Sequence, residues 1–218
     1  MKIFYRGLFG LLIITLPLVV ILGGSSLALR MPDVYGYQLK ANEIIDEIDL
    51  DVENDQLAQF FSDFMFGKID ELQMEATYRG RDQQVFSQGE NIAMHHYKAF
   101  ADKLILPLIL TFIIGIISYV MLFLQEKETA MRVAFKIGTG IYALLMTGIV
   151  LLYLIPNTRT YFYHILFKYT FGSDDIVPLI LTASFAGQMI VTILFISGIA
   201  LALFSYATWQ ITKEKRMF

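Results

Sequence analysis

The sequence lacks cysteine altogether and is poor in charge for its length. Without cysteine the chain can form no disulfide, use no thiolate nucleophile, bind no metal through cysteine and carry no lipid on a cysteine thioether of its own. Only 17% of the 218 residues are charged, whereas 56% are hydrophobic and the mean hydropathy is +0.57. These values exclude an ordinary soluble domain and predict an integral membrane protein.

A concentrated stripe of basic residues is also missing. The segment 30–101 holds 14 of the 20 acidic residues but only six of the 17 lysines and arginines, so the main polar segment is acidic. A nucleic-acid partner would require clustered positive charge to neutralise phosphates. The sequence therefore predicts no nucleic-acid partner.

Long apolar runs are abundant, and four of them are long enough to cross a hydrocarbon core of roughly 30 Å. They predict one membrane domain over 1–218 with spans at about 8–29, 104–125, 133–155 and 178–208. The first run could instead be a signal peptide cleaved after Ala28, but its length suits a full crossing better than the 7–15 residues of a signal core. What remains is a large loop domain, 30–103, and a shorter interfacial loop, 156–177.

The basic residues of the short hydrophilic segments predict the orientation of the chain. Such residues concentrate on the cytoplasmic side of a membrane. They occur before the first span, between the second and third spans, and after the fourth, at Lys2, Arg6, Lys127, Arg132, Lys213, Lys215 and Arg216. We therefore expect a multi-pass protein of the cell membrane with both termini in the cytoplasm, and both loops with all three histidines at the outer face.

The large loop domain reads as mostly helical with one hairpin. After a turn-rich stretch that follows Arg30, apolar residues recur at helical spacing in two groups and predict two short amphipathic helices, with Ile44, Ile45, Ile48 and Leu50 in the first and Leu57, Phe60, Phe61 and Phe64 in the second. Residues 73–86 alternate in character around a turn signal that begins at Gly80, Gly80-Arg81-Asp82, and predict a hairpin. The fold class expected is an all-α integral membrane protein of four transmembrane helices with this loop domain.

A capping box, Ser87-x-x-Glu90, predicts a helix that runs through His95 and His96 directly into the second span. Pro107 lies inside that helix and removes one backbone hydrogen bond, which predicts a kink. The third histidine, in the loop 156–177, lies in a run dense in aromatic residues, a composition typical of the lipid headgroup layer.

Histidine is the side chain whose ordinary pKa, about 6.5, suits proton transfer near neutral pH. The chain has only three, and no serine-hydrolase elbow, zinc-protease or phosphate-loop motif occurs beside them. Two outer segments that carry histidine are consistent with a catalytic or a metal-binding site as well as with a structural role. A zinc site of His95 or His96 with His164 and Asp174 or Asp175 is an alternative, and a purely interfacial anchor is another.

Two patches resemble the lipoprotein intramolecular transacylases of Gram-positive bacteria, small four-span proteins with one large outer loop. They are FSQGENIAMHHYKAFADKL, residues 86–104, and NTRTYFYHILFKYTFGSDDIVPLI, residues 157–180. The second patch is the more similar, with an aromatic run, a histidine, a phenylalanine three residues later and an acidic residue before the last span. In the first patch, His96-Tyr97 is the best match, with Asp102 displaced from the family's acidic position.

The resemblance implies a transacylase that moves an O-linked acyl chain of a diacylglyceryl-cysteine lipoprotein to that protein's own terminal amine, giving the lyso form. It implies His96 and His164 as the acid–base pair, with His95, Asp102 or Asp174 as supporting groups. It implies lipoproteins as substrates, with membrane lipid around them. The absence of thiols and of a strong metal signature leads us to expect no cofactor and no metal. The alternatives are a metal-dependent membrane hydrolase and a non-enzymatic sensor or assembly protein.

Overall fold

The computed structural model describes residues 2–41, 43, 45, 48–168, 171–172 and 175–213. Within these ranges the chain is mostly helical with one antiparallel hairpin, which confirms the predicted fold class. The elements in chain order are α1 (Lys2–Ala28), α2 (Pro32–Ala41), α3 (Asn54–Phe66), β1 (Glu75–Tyr78), β2 (Arg81–Gln84), α4 (Gln88–Lys103), α5 (Ile105–Leu124), α6 (Glu128–Leu154), α7 (Pro156–Phe167), α8 (Val177–Ile180) and α9 (Ala183–Ile211).

Four helical stretches among the described residues are long and apolar enough to cross a membrane. They are Phe4–Ala28, Gln88–Leu124, Glu128–Leu154 and Phe185–Ile211. Large apolar side chains on them are left exposed, with Leu144 at 75% and Phe195 at 68%. So much exposed apolar surface is stable only when lipid covers it.

The chain divides into two compact units, and the first, the bundle unit, comprises Met1–Ser25, Leu104–Leu151 and Ile193–Phe218. Among its polar contacts, the hydroxyl oxygens of Tyr142 and Ser197 lie 2.8 Å apart and share a hydrogen bond. The rest of its core is apolar packing of residues at helical spacing, namely Leu8, Leu12, Leu16, Val20, Leu122, Met131, Ala134, Phe135, Met146 and Leu201.

The second unit, the polar unit, comprises Ser26–Lys103 and Leu152–Thr192. Its core is built around the ring of Tyr35, which is completely buried. Phe61 stacks against this ring with centroids 5.6 Å apart, and Phe185 does so at 5.5 Å. Aromatic rings bury the largest apolar areas of any side chain, so a short helix such as α2 is held in place by tertiary packing.

The predicted hairpin is present, with a two-residue turn one position earlier than expected. Glu75 pairs with Gln84 and Tyr78 with Arg81, so Arg79 and Gly80 form the turn. Their φ angles, 52° and 74°, are both left-handed, as a type I′ turn requires. Because a lone hairpin is marginally stable, support from the rest of the chain matters, and the segment 49–51 supplies it by bonding to Thr77 and Arg79 at 2.9 Å each.

The two predicted amphipathic helices of the loop domain have different outcomes. The second is confirmed as α3, with Leu57, Phe61 and Phe64 buried. The first cannot be followed, because residues 42, 44, 46 and 47 lie outside the described residues. The stretch expected to be turn-rich is instead the helix α2, since Pro32 is tolerated in a first turn and burial of one face outweighs weak local propensity.

The helices on either side of the two loops are interrupted where the sequence predicted continuity. Helix α4 ends at Lys103, since Pro107 has no N–H to donate to the carbonyl of that residue, and bonding resumes from the Leu108 N–H to the Leu104 carbonyl at 3.1 Å. The helix expected from residue 178 is divided into α8 and α9, and the intervening Thr182 accepts a hydrogen bond from Gln38 at 2.9 Å.

Candidate functional site

Helix α4, which carries two of the histidines, begins at the predicted capping box. The Ser87 N–H donates to Oε2 of Glu90 at 2.8 Å, and the Glu90 N–H donates to Oγ of Ser87 at 3.2 Å. These reciprocal bonds satisfy donors that the start of a helix otherwise leaves without partners. The start of α4 is thereby fixed, and so is the direction in which each later side chain points.

Helix α4 buries one face and leaves both histidines off that face. The buried residues recur at helical spacing and are Glu90, Ala93, Met94, Tyr97 and Ala101. Because successive residues of a helix are rotated by about 100°, His95 and His96 emerge on either side of the opposite surface, and both are exposed. Two adjacent histidines on one helix therefore face different surroundings.

The third histidine lies on α7. This helix begins at Pro156, whose fixed φ suits a first turn, and it ends at Phe167, where the following Lys168 caps it with a left-handed φ of 50°. The Lys168 N–H donates to the carbonyl of His164 at 3.0 Å, which closes the last turn. The side chain of His164 is exposed.

An aromatic stack joins the two histidine-bearing helices. The rings of Tyr97 on α4 and Phe167 on α7 are nearly parallel, at 12°, with centroids 5.3 Å apart, and both residues are 2% exposed. His96 is the neighbour of Tyr97 in the chain, and His164 lies one turn before Phe167. The structure thus brings the two segments together near these histidines, although no hydrogen bond joins any two histidine side chains in the described part of the chain.

His95 has a contact that distinguishes it from His96. Its ring meets the ring of Phe64 edge to face, with centroids 5.2 Å apart, and the Nζ of Lys98 lies 4.8 Å from the centre of the same ring. Phe64 belongs to α3 and is completely buried. His95 therefore packs toward α3, away from the stack that joins α4 to α7.

The two supporting carboxylates predicted from the sequence can be placed only in part. Asp102 accepts a hydrogen bond from Nη2 of Arg30 at 2.7 Å and forms an ion pair with it. The structure therefore pairs Asp102 with an arginine 72 residues earlier and not with a histidine. Asp174 lies outside the described residues.

Arg30 is the centre of a buried polar group that the sequence did not reveal. Its Nη1 donates to the carbonyl and the hydroxyl of Ser26 at 3.0 and 2.9 Å, so a positive charge lies at the carboxyl end of α1, where a helix dipole favours it. Burial raises the pKa of Tyr35 well above its ordinary value, with Tyr97 adding to the rise and Arg30 opposing it. Tyr35 remains a neutral donor and bonds the Leu29 carbonyl at 2.7 Å.

Glu90 has a second set of partners beyond the capping box. Its Oε1 accepts hydrogen bonds from the N–H groups of Ile176 and Val177, at 2.6 and 2.7 Å. The residue is 1% exposed. Sequence reasoning identified Glu90 as a helix cap but missed these bonds, because nothing in a local pattern indicates partners 86 and 87 residues away.

The alternative zinc site is not assembled within the described ranges. Among those residues no three histidine, aspartate or glutamate side chains lie close enough to hold one metal ion together. Asp175, one of the ligands considered, accepts instead from the Ser87 hydroxyl at 3.1 Å and from the Gly172 N–H at 2.6 Å.

Comparison with known proteins gives likeness in structure but not in sequence. No protein-family model matches the chain, and no curated protein does. Three solved structures match, all of the membrane-integral lipoprotein intramolecular transacylase Lit from Bacillus cereus. A histidine-to-alanine variant has a TM-score of 0.73 at 17% identity, covering 100% of this chain and 97% of its own. A histidine-to-arginine variant has a TM-score of 0.68 at 14% identity and covers 96% of this chain and 93% of its own. A third structure has a TM-score of 0.66 at 17% identity and covers 100% of both chains. The chain therefore has the Lit fold along its whole length.

Proposed function

We propose that this chain is a membrane transacylase that acts on diacylglyceryl-cysteine lipoproteins. It moves the acyl chain on the sn-2 glyceryl oxygen to the α-amino group of the same cysteine and leaves a lyso-form lipoprotein. The observation that carries the proposal is the likeness in fold to Lit over the full chain. The packing of the two histidine-bearing helices against each other supports it.

The reaction is an isomerisation in which every atom is retained. The amine nitrogen attacks the carbonyl carbon of the sn-2 ester, an amide C–N bond forms, and the ester C–O bond breaks. One proton leaves the nitrogen, and one reaches the glyceryl oxygen. Because the acyl donor and acceptor are already in one molecule, the protein has mainly to hold them in attack geometry, an effect that can reach roughly 7–11 kcal/mol of the barrier.

Two proton transfers remain, and they require a base and an acid. The neutral amine, whose conjugate acid has a pKa near 8, is the form that attacks; as its nitrogen bonds the carbonyl carbon it must give up one proton, and the departing alkoxide must gain one. We assign these transfers to His96 and His164, since one imidazole can accept a proton while the other donates one. Both side chains are exposed, so a substrate embedded in lipid can reach them without opening the fold. No nucleophile of the protein is needed.

The reaction takes place at the outer face of the cell membrane, with both termini in the cytoplasm. The placement of lysine and arginine in the short segments supports this orientation. It is also the side on which diacylglyceryl lipoproteins are exposed after export. A reporter fused to the carboxyl terminus should be cytoplasmic, and a tag near Asp55, whose side chain is exposed, should be accessible from outside.

The proposal is tested with the purified protein in lipid nanodiscs and a synthetic diacylglyceryl-cysteine peptide. Transacylation leaves the mass of the peptide unchanged but moves one acyl chain into an amide, which survives mild alkali, and blocks the terminal amine. Hydrolysis would instead lower the mass by one acyl chain, and transfer from a bulk phospholipid would raise it by one. An isomerised peptide supports the proposal, whereas either change of mass, or an unaltered peptide, would contradict it.

A further inference from the structure

The carboxylate of Glu90 is bonded on both sides by backbone N–H groups of two separate segments. Oε2 accepts from Ser87 at 2.8 Å, and Oε1 accepts from Ile176 and Val177 at 2.6 and 2.7 Å. All three hydrogen bonds are short, and the Glu90 side chain is almost completely buried. A charged acceptor strengthens each of these hydrogen bonds relative to a neutral one.

These bonds belong to a closed circuit of contacts between α4 and the loop that follows α7. Beside Ile176, the carboxylate of Asp175 accepts from the Gly172 N–H at 2.6 Å. Next to Gly172, the ring of Phe171 meets Phe167 edge to face with centroids 5.6 Å apart. Phe167 then stacks on Tyr97, which returns the circuit to α4.

Glu90 and Tyr97 are therefore two attachment points on one face of α4. They are seven residues apart, which is about 10.5 Å along a helix and nearly two whole turns. Tyr97 attaches the end of α7 that bears His164, and Glu90 attaches the chain about a dozen residues farther on. Two attachments prevent the rotation about a single contact that one aromatic stack alone would allow.

We propose that Glu90 is a positioning residue that holds the His164-bearing segment in register with the His96-bearing helix. The inference rests on the proposed function in so far as these two histidines are its reacting groups. Glu90 touches no substrate in this account. It acts through the backbone of Ile176 and Val177. Its loss removes that attachment and leaves, among the described residues, the Tyr97–Phe167 stack and the weaker Ser87–Asp175 hydrogen bond.

The absence of cysteine makes the geometry directly measurable. Spin labels are attached to an Ile92→Cys, Tyr161→Cys protein, since both positions are exposed and lie on α4 and α7. Distances between the labels are then measured by double electron–electron resonance in nanodiscs. With Glu90 present we expect one narrow distribution, and with Glu90→Ala a broader one that includes longer distances.

Asn91→Ala is the matched control. Asn91 is the next residue of the same helix, and its side chain also binds backbone. It accepts from the Leu72 N–H at 2.6 Å and donates to the carbonyls of Leu72 and Ser87, whereas Glu90 bonds Ile176 and Val177. Asn91→Ala should keep the narrow distribution even where it lowers stability. Should Glu90→Ala fail to reach the membrane, Glu90→Gln replaces it. Its amide oxygen can still accept from the N–H groups of Ile176 and Val177, but its NH2 group cannot accept from the Ser87 N–H, so that bond is lost. That variant should show a distribution between those of the parent and Glu90→Ala, or, if its amide is reversed, one as broad as Glu90→Ala.

The activity of the same proteins separates this inference from the proposed function. Glu90→Ala should lower kcat by about 10²-fold with little change in KM, because a displacement of about 1 Å can have that effect on a reaction that depends on alignment. A distribution that stays narrow in both Glu90 variants would overturn the inference, whatever the peptide assay shows. If the distance distribution broadens on loss of Glu90 but the unaltered protein has no transacylase activity, the role of Glu90 in positioning stands and only the proposed function is refuted.

Discussion

The bundle unit and the polar unit use the same kinds of polar side chain in different ways. In the bundle unit, the hydroxyls of Thr15, Thr139 and Ser197 each donate to the carbonyl four residues earlier in the same helix, although Ser197 also bonds Tyr142 of another helix. In the polar unit, Ser62 donates to the Arg30 carbonyl, 32 residues away, and Gln188 donates to the Val34 carbonyl, 154 residues away.

The difference follows from the solvent that each unit faces. Within a bilayer a hydroxyl finds no water, so a carbonyl of its own helix is the nearest acceptor, and such a bond joins no distant segment. In the polar unit the same groups join segments that are distant in the chain and fix the backbone of each. Chemistry that requires two separate segments to stay aligned is accordingly expected in the polar unit, where His96 and His164 both lie.

The largest contrast in stability should come from emptying the aromatic core of the polar unit. Phe61→Ala removes a completely buried ring and should lower the free energy of unfolding by about 3–5 kcal/mol, as large-to-small core substitutions do. Leu144→Ala, at a position 75% exposed on α6, should change it by about 0.5 kcal/mol or less. Denaturant unfolding in bicelles measures both, and equal losses would mean that the bundle unit is packed more specifically than its exposure indicates.

A smaller loss of stability is expected where a glycine of the bundle unit lies against a neighbouring helix. A Cβ at Gly138 would lie 2.9 Å from Cδ2 of Leu16 and 3.3 Å from the Ile13 carbonyl, whereas a Cβ at Gly140 meets nothing within 4 Å. Gly138→Val should therefore cost about 1–3 kcal/mol by overpacking, and Gly140→Val should be close to neutral. The midpoint of thermal unfolding compares the pair. A Gly140→Val protein that is the less stable of the two would contradict this packing.

The smallest effect concerns the buried hydroxyl of Tyr35. Tyr35→Phe deprives the Leu29 carbonyl of its donor and should cost about 0.5–1.5 kcal/mol near neutral pH. Because burial raises the pKa of Tyr35, the folded protein keeps this proton where an unfolded chain, with a pKa near 10, has begun to lose it. The stability is thus complete below about pH 10 and is lost as the pH rises further.

Thermal unfolding from pH 8 to pH 11 tests the direction of that dependence. The unaltered protein should lose stability more steeply above about pH 10 than Tyr35→Phe does, so the two curves approach each other. Parallel curves across this range would show that the Tyr35 hydroxyl titrates alike in the folded and unfolded chains.

The sequence predicted features that depend on neighbouring residues and missed contacts between residues that are distant in the chain. Hydropathy and helical spacing are local, so the four spans, α3 and the capping box at Ser87 could be predicted. The pairing of Arg30 with Asp102, and the bonds from Ile176 and Val177 to Glu90, join residues more than 70 positions apart. A local pattern contains no information about such partners, because they depend on how the segments meet after folding.

The histidines show both what could be predicted from the sequence and what could not. Their position near the ends of apolar runs was readable, and the family resemblance is confirmed at the level of the fold. The contact of His95 with Phe64 was not readable, since it depends on where α3 lies. That contact gives a physical reason to expect different consequences from substitution of the two adjacent histidines.

The most direct test of the central claim compares three single substitutions in the peptide assay. His96→Gln and His164→Gln should each lower the rate of isomerisation by about 10²–10⁴, the range typical of a lost proton-transfer group, at unchanged protein level and membrane insertion. His95→Gln, the adjacent control, should keep most of the activity. A fully active His164→Gln protein would contradict the account. An inactive His95→Gln protein beside an active His96→Gln protein would retain the mechanism but move the catalytic residue of α4 by one position.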